Sequence, residues 1–274
     1  MELTTQQLSQ LKSLQLDMLV QFKAVCEKLN LRYYLMGGTM LGAVRHGGFI
    51  PWDDDIDVGM PRQDYEIFLQ KAQRLLPDHL FVQSFVTDPQ YPANFAKIRN
   101  SNTTYVESSV RKRPMNHGVY LDIFPLDYYP ENPKALEWKK MALALRINRV
   151  FTDTNPKFTT RLASLVACIY CPSVKNALQR REKLFRSVTE GSRIANHCGA
   201  WGKKEICPAD WYGEGKKLLF EGVEVTVPDQ YEKWLTQVYG DYMQLPPPEK
   251  RKSHHPLAAI DLDRPYTCYI EEML

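Results

Sequence analysis

The sequence predicts an α+β fold, with an antiparallel or mixed sheet and flanking helices in its first part and a mainly helical second half. Three observations support this prediction. Apolar side chains recur at helical spacing between residues 4 and 29. Short strand-like runs fill much of residues 80–124. Helical spacing returns over most of residues 134–197.

The first predicted elements surround a Gly-Gly turn. Thr4–Leu29 forms a helix whose polar TTQQ start can cap its N-terminus, and Arg32–Leu35 forms a short strand that runs into Gly37-Gly38. A helix over Thr39–Arg45 begins directly after these glycines. A strand, a glycine turn and a helix N-terminus in succession form an anion-binding arrangement.

The chain then alternates between strands and helices before it becomes largely helical. Gly47-Gly48 ends the second helix, Pro61 ends the strand that follows, and Gly240 ends the last helix. The remaining predicted elements are strands at Asp55–Met60, Leu80–Val86, Ala96–Arg99, Thr104–Val106 and Val119–Phe124, helices at Asp64–Leu76, Lys134–Arg149, Phe158–Cys171, Ser173–His197 and Tyr231–Tyr239, and a hairpin at Leu218–Pro228.

The bulk properties are those of an ordinary globular protein. The chain has 274 residues, enough for a large core, with 44% hydrophobic and 24% charged residues. Its formal charge of +3 is too small to predict a nucleic-acid partner. The N-terminus has acidic and amide residues and no uninterrupted apolar core, so we expect no signal peptide and a cytoplasmic protein.

The longest apolar run, Leu162–Cys171, has about half of the roughly 20 residues that a membrane span needs, so no transmembrane helix is expected. Cys168 and Cys171 form a CxxC within it. No second pair lies at a finger-like spacing, so this pattern favours helix packing over a zinc site. A basic run beside it either is a solvated helix face or makes a peripheral contact with an anionic membrane: Lys175, Arg180, Arg181, Lys183 and Arg186.

Four aspartates lie within five positions of the segment PWDDDIDVGM: Asp53, Asp54, Asp55 and Asp57. Such crowding is unfavourable unless a positive charge neutralises it. In the predicted strand, Asp55 and Asp57 share one face, so their carboxylates converge. Glycines just before the cluster allow the backbone to approach phosphate closely, so the pattern indicates a divalent cation in a phosphoryl-transfer site. The alternative is a solvated acidic turn.

A third carboxylate, Asp122, lies in GVYLDIFPLD between Leu121 and Ile123. An acid in an otherwise apolar strand needs a partner, and a metal ion is one. The alternative is a turn or capping aspartate, which suits Asp127 better. We therefore predict that Mg²⁺ or Mn²⁺ is held by Asp55, Asp57 and Asp122, whereas Asp53 and Asp54 orient the loop or accept a proton.

Phosphate also requires donors and cations. The candidates are Gly37, Gly38 and Thr39 at the helix start, Arg45 at its end, and Lys97 and Arg99 on one face of the strand AKIRN. Arginine can bridge two phosphate oxygens, and each cation is alternatively a solvated surface charge. His46 acts either as an acid or base or as a hydrogen-bonding spacer.

Aromatic residues are plentiful near the predicted site. Each either packs in the core, stacks on a nucleotide base or encloses a quaternary ammonium group by cation–π attraction. They are Trp52, Phe49, Tyr120, Phe124, Tyr128 and Tyr129.

These segments resemble the LicD family. The resemblance is carried by YYLMGGTMLGAVRHGGFIPWDDDIDVGMPRQDYEIF, GVYLDIFPLD, the KIRN strand, FEG at residues 220–222 and YGDYMQLPPPEKRKSHHP at residues 239–256. The family is placed in the nucleotidyltransferase-like superfamily, whose glycine and acid pattern falls here on Gly37, Gly38, Asp55, Asp57 and Asp122. The resemblance also places four residues near the donor or acceptor: Tyr242, Arg251, His254 and His255.

The resemblance implies transfer of a phospho-alcohol, above all phosphocholine from CDP-choline, to a hydroxyl of a teichoic acid or lipopolysaccharide precursor, with release of CMP. It implies a CDP-alcohol donor, a glycan acceptor that is free or lipid-linked, and work at the inner face of a bacterial membrane. Residues 1–150 would form the nucleotidyltransferase-like catalytic core. Residues 151–274 would pack on it and contribute to donor or acceptor binding, with a seam at Asn148–Thr159.

Three alternatives stay open at this point. The transferred group is a different phospho-alcohol such as ribitol phosphate, or the protein is a nucleotidyltransferase that releases pyrophosphate, because both reactions use the same acids. The third alternative is an inactive glycan-binding subunit.

Overall fold

The chain forms helices and strands in an order close to the predicted one. The computed structural model describes residues 3–151, 158–253 and 255–273, so part of the predicted seam and His254 lie outside the described residues. The helices in this part are α1 (Thr5–Leu29), α2 (Gly37–His46), α3 (Arg62–Lys71), α4 (Lys134–Ile147), α5 (Phe158–Tyr170), α6 (Val174–Phe185), α7 (Tyr231–Tyr239) and α8 (Tyr266–Met273). The strands are β1 (Tyr34–Leu35), β2 (Asp57–Pro61), β3 (Leu80–Gln83), β4 (Ala96–Asn100), β5 (Thr104–Glu107), β6 (Val119–Tyr129), β7 (Arg193–Asn196), β8 (Ile206–Pro208), β9 (Lys216–Phe220), β10 (Val223–Val227) and β11 (Leu257–Asp261).

One mixed sheet forms the centre of the molecule. Its strands lie in the order β1-β2-β6-β4-β3, and β7 and β8 continue from the far end of β6. Strands β2 and β6 are parallel, whereas the other neighbours are antiparallel. The pairs β9–β10 and β5–β11 form two smaller sheets. The predicted α+β class with a mixed sheet and flanking helices is therefore confirmed.

The long strand β6 organises this sheet. It was expected to end at Phe124, yet it continues through Pro125 to Tyr129. Proline has no N–H to donate to a neighbouring strand. Pairing of β6 with β4 ends at Ile123, and pairing with β7 begins at Leu126, so Pro125 lies where neither antiparallel neighbour needs that donor.

Helix α1 packs on the sheet and also contacts the acidic loop. Its N-terminus has the predicted cap, because the Thr4 hydroxyl accepts a hydrogen bond from the Gln7 N–H and the Gln7 side-chain oxygen accepts one from the Thr4 N–H. The buried Gln15 amide donates to the carbonyls of Asp54 (2.9 Å) and Tyr120 (3.3 Å). The helix therefore fixes the loop before β2 relative to β6.

The prediction of one helix over Ser173–His197 was wrong. Helix α6 ends at Phe185, and Arg193–Asn196 is a strand that pairs with the end of β6. Val188 and Thr189 are β-branched and Gly191 is flexible, so the connecting residues disfavour a helix. Strands β8 and β11 and helix α8 were not predicted. The proposed division at residue 150 stays a prediction, although β7 and β8 join the sheet of the first half.

A smaller helical layer is formed by α4, α5 and α6. Its core contains Leu143, Ile147, Cys171, Ala177 and Leu178, so Cys171 is packed among apolar side chains. Among the described helices, none is both long enough and apolar enough to cross a membrane.

A buried carboxyl just before β8 gives a pH-dependent prediction. Glu205 is 3% exposed and accepts a hydrogen bond from the Trp201 N–H at 2.9 Å. Burial raises the pKa of Glu205 to about 7. A carboxyl group whose pKa is raised by folding contributes stability that is fully present when the pH is below its unfolded-state pKa. This contribution is lost as the pH rises to about 7.

We therefore expect Glu205→Gln, which keeps the acceptor oxygen, to gain stability relative to the wild type as the pH rises from 4.5 to 7. The gain should reach about 3 kcal/mol and then level off. Urea unfolding at a series of pH values measures it. Two stability curves that stay parallel across this range would contradict the assignment.

Candidate active site

A cavity of about 920 Å³ opens between the start of α2, the acidic loop and the segment after α7. Acidic, aromatic and basic side chains all line it. The lining residues that matter below are Gly38, Arg45, Trp52, Asp53, Asp55, Asp57, Trp201, Tyr239, Tyr242, Lys250, Arg251 and His255.

Strand register brings two of the three predicted metal ligands together. Asp57 begins β2 and lies directly beside Asp122 of the parallel strand β6. Paired strands are about 4.8 Å apart, so the two residues are immediate neighbours. Asp55 lies two residues earlier, just before the strand, and lines the same cavity as Asp57. Asp122 is 7% exposed and lies behind them, outside the cavity lining.

Burial and mutual repulsion both disfavour the ionised form of these acids. Burial, with the neighbouring carboxylates of Asp54 and Asp122, raises the pKa of Asp55 to about 6. Burial and the charges of Asp55, Asp122 and Asp53 raise the pKa of Asp57 well above its usual range. Burial also raises the pKa of Asp122. A divalent cation would remove this mutual repulsion, and hard carboxylate oxygens suit Mg²⁺ or Mn²⁺.

The N-terminus of α2 faces the same acids. Gly37 has φ +52°, and a Cβ there would lie 3.1 Å from Asp57 Oδ2. A Cβ on Gly38 would lie 2.6 Å from Asp53 Oδ2. The hydroxyl of Thr39 accepts a hydrogen bond from the Asp57 N–H at 2.8 Å. The two glycines therefore allow the helix to approach the carboxylates, and Thr39 fixes the start of β2.

Asp54 connects the acidic loop to the C-terminal segment. Its carboxylate accepts hydrogen bonds from Tyr105 Oη (2.7 Å), Ser253 Oγ (2.8 Å) and His255 Nδ1 (3.0 Å). Despite burial, the bond from His255 and that side chain's charge lower the pKa of Asp54. Asp54 thus orients the loop, as its position before the strand indicates.

His255 lies between two aspartates. Its Nε2 atom is 3.6 Å from Asp55 Oδ2, while Nδ1 donates to Asp54. Burial opposes its charge, but the Asp54 bond and Asp55 raise the pKa of His255 to about 10. Asp54, Asp55 and His255 offer ligand atoms within 4.8 Å of one another, so this group could also hold a metal ion. Because Asp54 already accepts three hydrogen bonds, it is a weaker candidate than Asp57.

The predicted phosphate cations separate into two groups. Arg45 lines the cavity, and its guanidinium donates to the Tyr242 carbonyl at 2.8 Å. Lys97 and Arg99 are buried instead. Lys97 Nζ is 2.9 Å from Asp122 Oδ1, so it already partly neutralises that acid.

Arg99 has no exposed surface. It donates to the Gln83 side chain and to the Gly118 carbonyl, both at 2.8 Å, and its guanidinium is 3.5 Å from Glu107. A phosphate contact would require Arg99 to give up one of these partners.

His46 and the aromatic candidates are also separated. His46 is largely exposed at the end of α2 and does not line the cavity. Partial desolvation of its ring, with the charges of Arg45 and Lys12 nearby, lowers its pKa. Trp52 lines the cavity, with the Arg251 guanidinium 5.8 Å from its ring centroid. The other predicted aromatics, Phe49, Tyr120, Phe124, Tyr128 and Tyr129, are not part of the lining.

Several cavity residues were missed by sequence reasoning. Trp201 and Tyr239 meet edge to face with ring centroids 5.0 Å apart, and Lys250 lies near Arg251. Tyr239 and Lys250 lie within the segment YGDYMQLPPPEKRKSHHP, which is part of the family resemblance but gave neither residue a role. Trp201 lies in a turn, and the sequence around it contains no recognisable motif. Its position in the cavity lining therefore becomes visible only in the folded chain.

Comparison with known proteins identifies the family of this sequence. A family model described as the LicD/FKTN/FKRP nucleotidyltransferase domain matches residues 30–155, which include the glycine turn, the acidic loop, β2 and β6. The fold and the acids thus define a nucleotidyltransferase domain.

Similar proteins extend the match along the chain. The lipopolysaccharide cholinephosphotransferase LicD of Haemophilus influenzae is 33% identical over 251 residues, which cover 88% of this chain and 92% of that protein. The ribitol 5-phosphate transferase FKRP of Homo sapiens is 32% identical over 108 residues, or 39% of this chain and 19% of that protein. The chain belongs to the LicD family.

The glycine that faces Asp57 can be tested against a matched glycine. Gly37 and Gly47 both have positive φ, at +52° and +68°, but only a Cβ at Gly37 would meet a neighbour. We expect Gly37→Ala and Gly47→Ala each to lose about 1 kcal/mol of stability in urea unfolding. Only Gly37→Ala should also weaken Mn²⁺ binding measured by electron paramagnetic resonance. Equal Mn²⁺ affinities of the two variants would argue against a metal beside Asp57.

Proposed function

We propose that this protein is a metal-dependent transferase that moves phosphocholine from CDP-choline to a hydroxyl of a teichoic acid or lipopolysaccharide precursor and releases CMP. One observation carries the proposal: a crowded set of acids and several aromatic and basic side chains line the same cavity. CDP-choline suits such a lining, because its diphosphate requires cations and its choline group favours aromatic faces.

The acids are assigned to the metal. Asp55, Asp57 and Asp122 would hold Mg²⁺ or Mn²⁺; burial first, and neighbouring carboxylates after it, raise the pKa of each, and a bound cation would offset both effects. The ion supplies neutralisation of the donor diphosphate and of the CMP leaving group when it is bound. Lys97 orients Asp122 through their ion pair, and Asp54 positions the loop and His255.

The cavity cations are assigned to the diphosphate. Arg45, Lys250 and Arg251 line the cavity, and the N-terminus of α2 adds a favourable dipole at Gly37 and Gly38. Arg251 is also held at the Pro246 carbonyl by a 2.8 Å hydrogen bond, so its side chain is oriented toward the cavity before a donor binds.

The aromatic wall is assigned to choline. Trp201 and Tyr239 form an edge-to-face pair, and Tyr242 and Trp52 complete the aromatic part of the lining. A quaternary ammonium group cannot donate hydrogen bonds, so it is recognised by aromatic faces rather than by polar groups. These aromatic faces therefore support choline as the transferred alcohol.

The reaction forms one bond to phosphorus and breaks another. The acceptor hydroxyl attacks the phosphorus that bears choline, and the bond from that phosphorus to the bridging oxygen breaks, so the oxygen leaves with CMP. The hydroxyl proton passes to a carboxylate or to His46; Asp53 lines the cavity, whereas His46 does not. No covalent enzyme intermediate is needed.

The relatives support this proposal at two levels. The Haemophilus influenzae protein is named a lipopolysaccharide cholinephosphotransferase, and FKRP is named a ribitol 5-phosphate transferase.

A donor assay tests the proposal: the protein is incubated with Mg²⁺, with CDP-choline, CDP-ribitol or CDP-glycerol, and with wall or lipid-linked glycan. CMP release with CDP-choline supports the proposal. CMP release with CDP-ribitol alone would indicate transfer of ribitol phosphate. Release of pyrophosphate from a nucleoside triphosphate would indicate a nucleotidyltransferase. Glycan binding without turnover would indicate an inactive subunit.

Neutralising one acid separates chemistry from stability. We expect Asp57→Asn to reduce CMP release about a thousandfold, because several kcal/mol of charge stabilisation is lost. Its melting temperature without metal should stay equal or rise, because a neutral amide relieves the repulsion among buried carboxylates.

Asp127→Asn is the matched control on the neighbouring strand. Asp127 lies in β6 but is held by the Arg62 guanidinium through two 2.7 Å hydrogen bonds outside the cavity. This variant should lose stability and keep turnover when assayed below its melting temperature. Normal CMP release by Asp57→Asn would exclude the metal assignment.

Removing an aromatic face tests donor choice. Trp201→Ala should raise the KM for CDP-choline about fivefold to thirtyfold, which corresponds to loss of a cation–π contact. The KM for CDP-glycerol should change little, and Trp201→Phe should restore most of the affinity for CDP-choline. An equal rise in KM for both donors would mean that Trp201 does not recognise the ammonium group.

A further inference from the structure

Helix α5 carries an apolar face that the fold leaves exposed. Leu165, Val166, Ile169 and Tyr170 are 53%, 60%, 83% and 46% exposed. Their spacing of one, four and five positions places them on one side of the helix. On the opposite side, Ala167 is buried against the helical layer. The exposed face is therefore a continuous apolar surface, which is unusual on a protein that has no use for it.

Basic side chains lie at the edge of this face. The Arg180 guanidinium is 5.4 Å from the Tyr170 ring centroid and donates to the Tyr170 carbonyl at 3.1 Å. Lys175 and Lys183 of α6 are exposed as well. The sequence of α5 contains no acidic residue. The apolar face is therefore bordered by a positive charge at Tyr170, and α6 adds two exposed lysines to the same helical layer.

The structure divides the basic run that the sequence identified. Arg181 donates to the Asn94 side chain, and the exposed Arg186 pairs with Glu66 at 3.2 Å, so these two already have partners within the fold. Lys175, Arg180 and Lys183 remain on the outside. The neighbouring helix α4 adds the exposed side chains of Trp138 (60%) and Met141 (58%) to the outer surface of the same layer.

We propose that the exposed face of α5 docks on an anionic lipid surface. Leu165, Val166 and Ile169 would enter the boundary between headgroups and acyl chains, while Tyr170 would lie at headgroup depth. Arg180, Lys175 and Lys183 would pair with lipid phosphates. This surface does not involve the cavity, so it holds whether or not the proposed donor is correct.

A second copy of the chain fits this face less well. A symmetric dimer places the same patch of both copies in contact. Arg180, Lys175 and Lys183 of both copies would then be brought to one interface in which α5 offers no acidic residue, so like charges would repel there. An anionic bilayer is complementary to both the apolar residues and the cations.

Sedimentation with vesicles tests the proposal. The full chain is mixed with vesicles of phosphatidylcholine alone or with 30% phosphatidylglycerol, at about 0.1 M and 1 M salt. We expect binding to the anionic vesicles, weaker binding to neutral ones, and release by high salt. Ile169→Glu should reduce binding about tenfold or more, and Arg180→Glu about fivefold or more.

Val86→Glu is the matched control, because Val86 is 73% exposed on the turn after β3, outside the helical layer. It should bind like the wild type. Thermal unfolding verifies that each variant is folded, and light scattering reports the oligomeric state. No binding of the wild type, equal binding to both vesicle types, or equal effects of Val86→Glu and Ile169→Glu would overturn the proposal. A dimer that Ile169→Glu dissociates, without vesicle binding, would assign the face to a second copy.

Discussion

The register between β2 and β6 is the constraint on which the site depends. It places Asp57 beside Asp122, and the antiparallel register on the other side of β6 places Lys97 beside the same acid. A slip of one residue would turn every side chain of β2 to the opposite face and bury Asp57 among apolar residues. The fold therefore accepts repulsion among buried carboxylates at one place, and the surrounding sheet, with Ile56 and Val58 fully buried, holds them there.

The second half of the chain completes a site that the first half begins. Asp54 binds Ser253 and His255 through its two carboxylate oxygens, and Arg45 binds the carbonyl of Tyr242. These contacts bring the segment after α7 over the acidic loop, so the acids form one wall of a cavity instead of an open surface. Tyr242, Lys250 and Arg251 join the cavity lining with that segment.

Local signals carried most of what the sequence predicted about the fold and the candidate site. The cap of α1 depends on Thr4 and Gln7, and Asp55 and Asp57 stand out because strand geometry points alternate side chains the same way. Arg99 shows the limit of such reasoning. It shares a strand face with Lys97, but whether that face meets solvent or Gln83 and Gly118 depends on pairing with distant strands. Strand β7 forms by pairing with the distant strand β6, and Trp201 follows β7 in the chain. Sequence reasoning therefore did not find either of them.

The positive charges of this chain have three different environments, and the environment limits what each can bind. Lys97, Arg99 and Arg62 are paired with buried or half-buried acids, and separating such a pair leaves an uncompensated charge that costs several kcal/mol. A diphosphate would have to repay that cost. Arg45, Lys250 and Arg251 face a solvent-filled cavity, where exchanging water for phosphate costs far less. The formal net charge of +3 therefore says little about anion binding, because the acids cancel the buried cations and leave those at the cavity and on α6 available for ligands.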